Sequence, residues 1–101
     1  ILKITIMDIK IQSIHFDADQ KLVDFVEEKV GKLSHYYDKI IGGDVFLKLE
    51  TADQENKVAE IKIKLPGKDL FAKKQCKSFE EATDEAVEAL RRQINKHKSK
   101  K

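Results

Sequence analysis

The chain is poor in the residues that build disulfide frameworks, zinc sites and membrane spans. Its 101 residues include one cysteine, one proline, one methionine and no tryptophan. Cys76 alone can form neither an intramolecular disulfide nor a CxxC zinc motif, which favours a reducing compartment. No apolar run approaches the ~20 residues of a membrane span, and residues 1–14 lack the cleavage site of a signal peptide. We therefore expect a cytoplasmic protein with no membrane partner.

No recognisable catalytic set is present either. His15, His35 and His97 fall on separate predicted elements, and Gly42-Gly43 lacks the Lys-Ser/Thr of a phosphate-binding loop. Nucleophilic catalysis needs a Ser or Cys beside a base, and a pairing of Cys76 with His97 has no support in the sequence. The sequence therefore predicts no enzyme activity, no catalytic residues, no metal, no cofactor and no small-molecule substrate.

Charge, by contrast, is abundant and unevenly distributed. Charged residues make up 38% of the chain, against a usual ~25%, yet the net charge is only +2. Residues 57–77 contain seven lysines and two acids, and residues 91–101 contain six cations and no acid. A charge that complements the dipole of a helix stabilises the helix by about 0.3–1 kcal/mol. This effect explains why the acids precede the bases along the last helix, but it does not explain this density of cations. Sorted charge of this kind can present a basic face to phosphates.

Hydrophobic periodicity predicts the element order β-α-β-β-β-α. Apolar residues alternate with polar ones in four stretches, which predicts strands near residues 9–11, 45–49, 59–65 and 70–76. The alternation slips at Ser13, which indicates a bulge or strand end. An apolar stripe at spacings of three and four predicts a helix to about Tyr36, capped by Asp17 or Asp19. The stripe residues are Leu22, Val26, Val30, Leu33 and Tyr37.

Glycine, proline and capping residues predict how the strands and helices are connected. Gly42-Gly43 is predicted to break the chain, and Pro66-Gly67-Lys68-Asp69 to form a turn. Ser78 and Glu81 form a capping box at the start of the last helix. The fold class is therefore α+β: a four-stranded mixed sheet, its first strand parallel and the rest a meander, with both helices on one face. The predicted core contains Leu22, Val26, Val30, Leu33, Ile61, Ile63, Ala82, Ala86 and Leu90.

The cations near the ends of the two helices are the candidate RNA-binding residues, because cations clustered on one edge suit phosphates. They are Lys29, Lys32, Lys39, Arg91, Arg92, Lys96 and Lys98.

Lysines and two phenylalanines are predicted on the sheet face that the helices leave uncovered. Its lysines are expected to keep an uncovered face soluble, and Phe46 and Phe71 are expected to share that face. These lysines are Lys62, Lys64, Lys73 and Lys74.

Four segments resemble the ribosome hibernation promoting factor family, which includes the ribosome-associated inhibitor (protein Y). The first is the strand MDIKI at residues 7–11, and the second is KVGKLSHYYDKI at 29–40, similar to the family's K-x-x-K-L-x-x-Y-F-D-+-I. GKDLFA at 67–72 is similar to the family's G-x-x-A segment. The most specific is ATDEAVEALRRQINKHK at 82–98, similar to A-I-D…L-x-R-Q-L-x-K-x-K. Their order and spacing agree with the predicted elements.

The resemblance implies a fold like the double-stranded-RNA-binding domain. It also implies docking on the small ribosomal subunit and its rRNA, and so on the whole ribosome, in the channel for mRNA and the A- and P-site tRNAs. Translation would be inhibited by steric occlusion, without catalysis. The chain departs from the family at Ser78-Phe79-Glu80-Glu81, where D-M-Y-A is usual, and at Val23, where a basic residue is often found.

The resemblance also suggests how the chain is divided. Residues 1–6 precede Met7 and are expected to be an N-terminal extension, residues 7–98 a ribosome-binding domain, and residues 99–101 a basic tail. With this division we expect the chain to resemble the family's short form, without a C-terminal dimerisation domain.

Two other functions remain open at the level of sequence. One is a generic double-stranded-RNA-binding domain, because RNA duplexes are recognised mainly by shape and backbone. The other is a protein–protein adaptor that uses the sheet face with Phe46 and Phe71. Binding to phosphates weakens steeply with salt, whereas an apolar adaptor does not, so salt dependence separates the adaptor from the RNA binders.

Overall fold

A computed structural model describes residues 8–50 and 54–99 of the chain. The strands are β1 (Asp8–Ile14), β2 (Gly42–Leu49), β3 (Lys57–Leu65) and β4 (Lys68–Cys76), and the helices are α1 (Gln20–Gly31) and α2 (Phe79–Ser99). A 3-10 turn, Lys32–His35, follows α1. The extension predicted at residues 1–6, the start at Met7, and Lys100 and Lys101 of the basic tail lie outside the described residues.

The four strands form one mixed sheet in the order β1-β2-β3-β4. β1 pairs with β2 in parallel, and the other two pairs are antiparallel. Val45 pairs with Ile11 on one side and with Ile61 on the other, so their side chains lie on the same face. α1 and α2 both cover this face, since their buried residues join its strand residues in one hydrophobic cluster. The predicted fold class is confirmed.

The predicted core is also confirmed. All nine predicted residues are buried, from Leu22 at 8% exposure to Leu90 at 0%. Ile94 extends the α2 stripe to the cationic end of the helix and is likewise fully buried. Each large side chain buried in this way contributes roughly 1.5–3 kcal/mol, so the core holds the end of α2 in place. No helix in the described ranges is both long and apolar enough to cross a membrane.

The phase slip at Ser13 marks the end of β1. The strand stops at Ile14, and His15 adopts a φ of 73°, in the left-handed region. The chain then enters α1, where Asp19 rather than Asp17 is the N-cap. Its side chain accepts a hydrogen bond from the Leu22 N–H at 2.9 Å.

One predicted boundary needs a finer description, and another was wrong. Helical structure continues to His35, close to the predicted end near Tyr36, but the α-helix itself ends at Gly31 and the chain tightens into the 3-10 turn, where Ser34 Oγ donates to the Gly31 carbonyl at 2.9 Å. Gly42-Gly43 does not break the chain but begins β2. A Cβ on Gly42 would lie 2.8 Å from the Asp8 carbonyl oxygen, so glycine here permits the close approach of β1.

The start of α2 shows one of the two predicted capping-box bonds. The Glu81 N–H donates to Ser78 Oγ at 3.1 Å. Within residues 54–99, the reciprocal bond from the Ser78 N–H to the Glu81 carboxylate is not formed. α2 is therefore capped by the serine hydroxyl.

Candidate nucleic-acid interface

The two helices run in the same direction, so their ends meet. Phe16, just before α1, stacks on Phe79 at the start of α2, with ring centroids 4.5 Å apart. Beyond the other end of α1, Tyr37 meets His97 edge to face at 5.5 Å. The N-terminal ends of the two helices therefore lie together, and so do their C-terminal ends. The cations at the C-terminal ends consequently lie at one edge of the domain.

The meeting of the ends creates a depression of about 840 Å³, here called the junction depression. Lys98 Nζ donates a 2.7 Å hydrogen bond to the Tyr36 carbonyl and fixes α2 against the segment that follows α1. Two of the predicted RNA-binding residues, Lys39 and Lys98, are thereby brought together. The lining residues are Ser34, His35, Tyr36, Tyr37, Asp38, Lys39, His97 and Lys98.

Arg91 borders this region but is held by α2 itself. Its Nη2 and Nε donate to the two Glu88 carboxylate oxygens, at 2.9 and 3.3 Å. These bonds lower the pKa of Glu88 and raise the pKa of Arg91. The Arg91 guanidinium also lies 5.8 Å from the centroid of the Tyr36 ring, within the range of a cation–π contact. Arg91 therefore positions Tyr36, and its charge is partly compensated by Glu88.

A second hollow of about 600 Å³, the mixed-charge depression, involves α1, α2 and β4. Lys29 Nζ lies 3.0 Å from Asp84 Oδ1. Arg92 lies in the same lining, so the structure brings two more predicted residues together, but beside three carboxylates. The lining residues are Lys29, Lys74, Asp84, Glu85, Glu88 and Arg92.

Lys74 corrects one prediction from the sequence. It pairs with Ala59 and shares its strand face with Ala72 and Cys76, which is the face covered by the helices. It does not belong to the helix-free face with Lys62. The alternation of β4, with buried residues at 70, 72 and 76, is the signal that could have placed it.

Within the described ranges, four of the predicted cations are exposed and without an ion pair, whether or not they line a depression. Lys32, Lys39, Arg92 and Lys96 are exposed and form no ion pair within the described parts of the chain. Lys32 and Lys96 line neither depression. The sequence interpretation also missed His35, Tyr36, Tyr37 and His97. The YYD of segment 29–40 contributes to the family resemblance, but residue type alone did not identify its aromatic rings as part of a site.

The helix-free sheet face compensates most of its charges. Glu60 pairs with Lys48 at 2.9 Å and with Lys73 at 3.8 Å, and Lys64 lies 3.4 Å from Asp44. The hydrogen bond with Glu60 raises the pKa of Lys48. This face is therefore less suited to phosphates than the helix ends.

The aromatic residues of that face do not form one patch. Phe46 lies on β2 and Phe71 on β4, with β3 between them. Phe71 is 51% exposed, and Phe46 is partly buried. To a protein partner this face therefore presents two separate rings and not one apolar patch.

Cys76 does not lie near His97. Its Sγ and the carboxylates of Glu81 and Glu85 lie within 4.8 Å of one another. Glu85 and His97 are twelve residues apart on α2, which is roughly 18 Å along the axis. Burial, with a smaller contribution from Glu85, raises the pKa of the Cys76 thiol to about 11. A thiol protonated at neutral pH is a poor nucleophile and a poor metal ligand.

A family model and several curated proteins are similar to this chain. Residues 9–101 match the model described as Sigma 54 modulation protein / S30EA ribosomal protein. A ribosome hibernation promoting factor of Pseudomonas putida is 31% identical over 93% of this chain and 89% of its own length. A ribosome hibernation promotion factor of Bacillus subtilis is also 31% identical over 93% of this chain, which spans 50% of that relative.

Two solved structures have a similar fold. A ribosomal subunit interface protein from Coxiella burnetii has a TM-score of 0.82 over 93% of this chain and 100% of its own, at 21% identity, which supports the fold alone. The N-terminal domain of Thermus thermophilus Protein Y has a TM-score of 0.77, at 27% identity over 90% of this chain and 99% of that domain. The arrangement of the sheet and helices is therefore shared with both structures.

Proposed function

Because the chain belongs to the Sigma 54 modulation protein / S30EA ribosomal protein family, we propose that it is a ribosome-associated hibernation factor that binds small-subunit rRNA. This family agrees with the resemblance drawn from segments 29–40 and 82–98. The proposed partners are the small subunit, its rRNA and, through them, the whole ribosome. The proposed site of action is the channel that holds mRNA and the A- and P-site tRNAs.

The observation that carries the proposal is the meeting of the cationic helix ends at one edge. Lys39 and Lys98 line one depression, and the exposed Arg92 and Lys96 lie on the last turns of the same α2. Cations held on rigid elements can contact the phosphates of a folded RNA without reading bases. The compensated charges of the helix-free face make that side a weaker candidate.

The opposite ends of the helices are acidic. Asp17 and Asp19 precede α1, and Glu80 and Glu81 occupy the first turn of α2. An acidic end opposite a cationic end gives the domain a polar field that orients it as it approaches rRNA. Bound in this orientation, the domain would exclude tRNA and mRNA by its volume, with no chemical step.

The proposal is tested by competition on purified small subunits. The protein should cosediment with the subunits, and saturating protein should displace initiator tRNA from the P site. A blunt RNA duplex added at the same phosphate concentration serves as the matched competitor. If initiator tRNA still fully occupies the P site at saturating protein, the occlusion mechanism is wrong. Complete competition by the duplex would indicate a generic double-stranded-RNA binder instead.

A further inference from the structure

The two adjacent tyrosines at the helix junction have different surroundings. Tyr37 packs against the hydrophobic core and meets His97 edge to face at 5.5 Å. Tyr36 belongs to no core cluster and is 43% exposed. Burial therefore explains the aromatic ring of Tyr37 but not that of Tyr36. A large exposed ring bordered by cations is more typical of a binding surface than of a fold requirement.

We propose that the junction depression binds an unpaired nucleotide of RNA, with its base stacked on the ring of Tyr36. This inference rests on the proposed function, since it supplies an interaction within the same cationic edge. Lys39 and Lys98 lie in the same lining, and the Arg91 guanidinium lies over the ring, 5.8 Å from its centroid, so the base would stack on the side of the ring away from Arg91. A stacked base thus has cations beside it for its own phosphates.

The stacking platform is held rigidly before any ligand arrives. The Tyr36 N–H donates to the Leu33 carbonyl at 3.0 Å, and the Tyr36 carbonyl accepts from Lys98 Nζ at 2.7 Å. Leu33 itself is fully buried in the core. Because the backbone of Tyr36 is fixed on both sides, little conformational freedom disappears when a base stacks on the ring.

The shape and charge of the depression favour an unpaired nucleotide over a duplex. In an A-form duplex the base faces are stacked inside, and proteins reach the 2′-hydroxyls and phosphates across the minor groove. The ring of Tyr36 can therefore stack only on a base that is not already stacked, as in a loop, a bulge or a single strand. A volume of about 840 Å³ lies within the range of pockets for small molecules, ~300–1,000 Å³. Asp38 is the one acid in the lining.

The test compares Tyr36→Leu with Tyr36→Phe and with Phe71→Leu as a matched control. Phe71 is an aromatic residue of similar exposure on the helix-free face, at 51% against 43% for Tyr36. Binding of a labelled uridine hexamer and of a blunt RNA duplex is measured at several salt concentrations. We expect Tyr36→Leu to weaken hexamer binding by about 5- to 150-fold, the range for removing one base–aromatic stack. Tyr36→Phe and Phe71→Leu should bind within about twofold of the parent.

Salt dependence distinguishes stacking from charge. Tyr36→Leu removes no cation, so the slope of log affinity against log salt should not change. In the unmodified protein, a hexamer with a central 2-aminopurine should lose fluorescence on binding, which tests stacking even if a variant is unstable. Unchanged hexamer binding by Tyr36→Leu, an equal loss on the duplex, or no fluorescence change would each overturn the proposal. Loss of binding by Tyr36→Phe would also overturn it, because the hydroxyl rather than the ring would be responsible.

The base site and the ribosome function can fail separately. If Tyr36→Leu cosediments with small subunits and displaces tRNA like the parent, and binds the hexamer equally well, the base site fails while the hibernation proposal stands. If the parent protein does not displace tRNA, but Tyr36→Leu weakens binding of the hexamer as expected, the occlusion proposal fails while the base site stands.

Discussion

Lys29 Nζ lies 3.0 Å from Asp84 Oδ1, an ion pair that joins the last turn of α1 to the second turn of α2. The pair is partly exposed, with 32% of the Lys29 side chain and 56% of the Asp84 side chain open to solvent. The acidic half of α2 therefore compensates one of the cations assigned to RNA. Of the candidate RNA-binding cations on and just after α1, Lys32 and Lys39 remain without an ion pair within residues 8–50 and 54–99.

Substitution of Asp84 by Asn should strengthen ribosome binding. It releases the Lys29 charge for a phosphate, and exposed ion pairs contribute about 0.2–1 kcal/mol, so affinity for small subunits should rise by up to about fivefold. The measurement is quantitative cosedimentation at fixed salt. Asp69→Asn, at an exposed position on β4, makes the same charge change away from the helix ends. An equal gain from both variants would mean that net charge, not position, governs binding.

The exposed cations of α2 should be needed for binding but not for folding. Arg92→Glu with Lys96→Glu should abolish cosedimentation at moderate salt, because attraction to two phosphates is replaced by repulsion. Arg91 is left intact, since it is bonded to Glu88 and contacts Tyr36. For each phosphate that the variant no longer neutralises, the slope of log affinity against log salt should flatten by about 0.7–0.9.

The control for this variant is Lys10→Glu with Lys62→Glu, which changes the net charge equally on the helix-free face. It should cosediment nearly as well as the parent protein. Both variants should show the same far-ultraviolet circular dichroism as the parent. If the control loses binding as completely as the α2 variant, the assignment of the RNA surface to the helix ends is wrong.

Two glycine substitutions should have opposite effects on stability. Gly31 is helical, with φ −61°, and a Cβ there would meet Ile9 Cδ1 at an ordinary 3.9 Å. Gly31→Ala should therefore raise the free energy of unfolding by about 0.5–1 kcal/mol. Gly42→Ala would place Cβ 2.8 Å from the Asp8 carbonyl oxygen, and it should lower that free energy by about 1–3 kcal/mol. Urea denaturation measures both, and full stability of Gly42→Ala would contradict the close pairing of β1 with β2.

Local patterns were sufficient to predict most of the fold. The alternation around Ile61 and the three-and-four spacing around Val26 identify which side chains leave water, because strands and helices have different periods. The boundaries were harder to predict. Gly42 was interpreted as a chain break because glycine is usual in turns, whereas its role depends on a neighbouring strand more than thirty residues earlier.

The candidate site was predicted only in outline. The cations near the helix ends could be named from the sequence, but their surroundings could not. Lys74 was placed on the wrong sheet face. Tyr37 was correctly placed on the apolar face, but Tyr36 was not recognised as an exposed ring beside the cations. Each of these depends on register or on which side of a segment packs against α2, and neither follows from residue type.

The sequence by itself determined the element order, the inward faces and the concentration of cations near two helix ends, because these follow from periodicity and composition along the chain. The tertiary structure alone decided which charges remain free. The pairing of Lys29 with Asp84 and the bond from Lys98 to Tyr36 join residues 55 and 62 positions apart. Such interactions exist only because two helices packed side by side in the same direction bring these side chains within a few ångströms, a distance that no local pattern encodes.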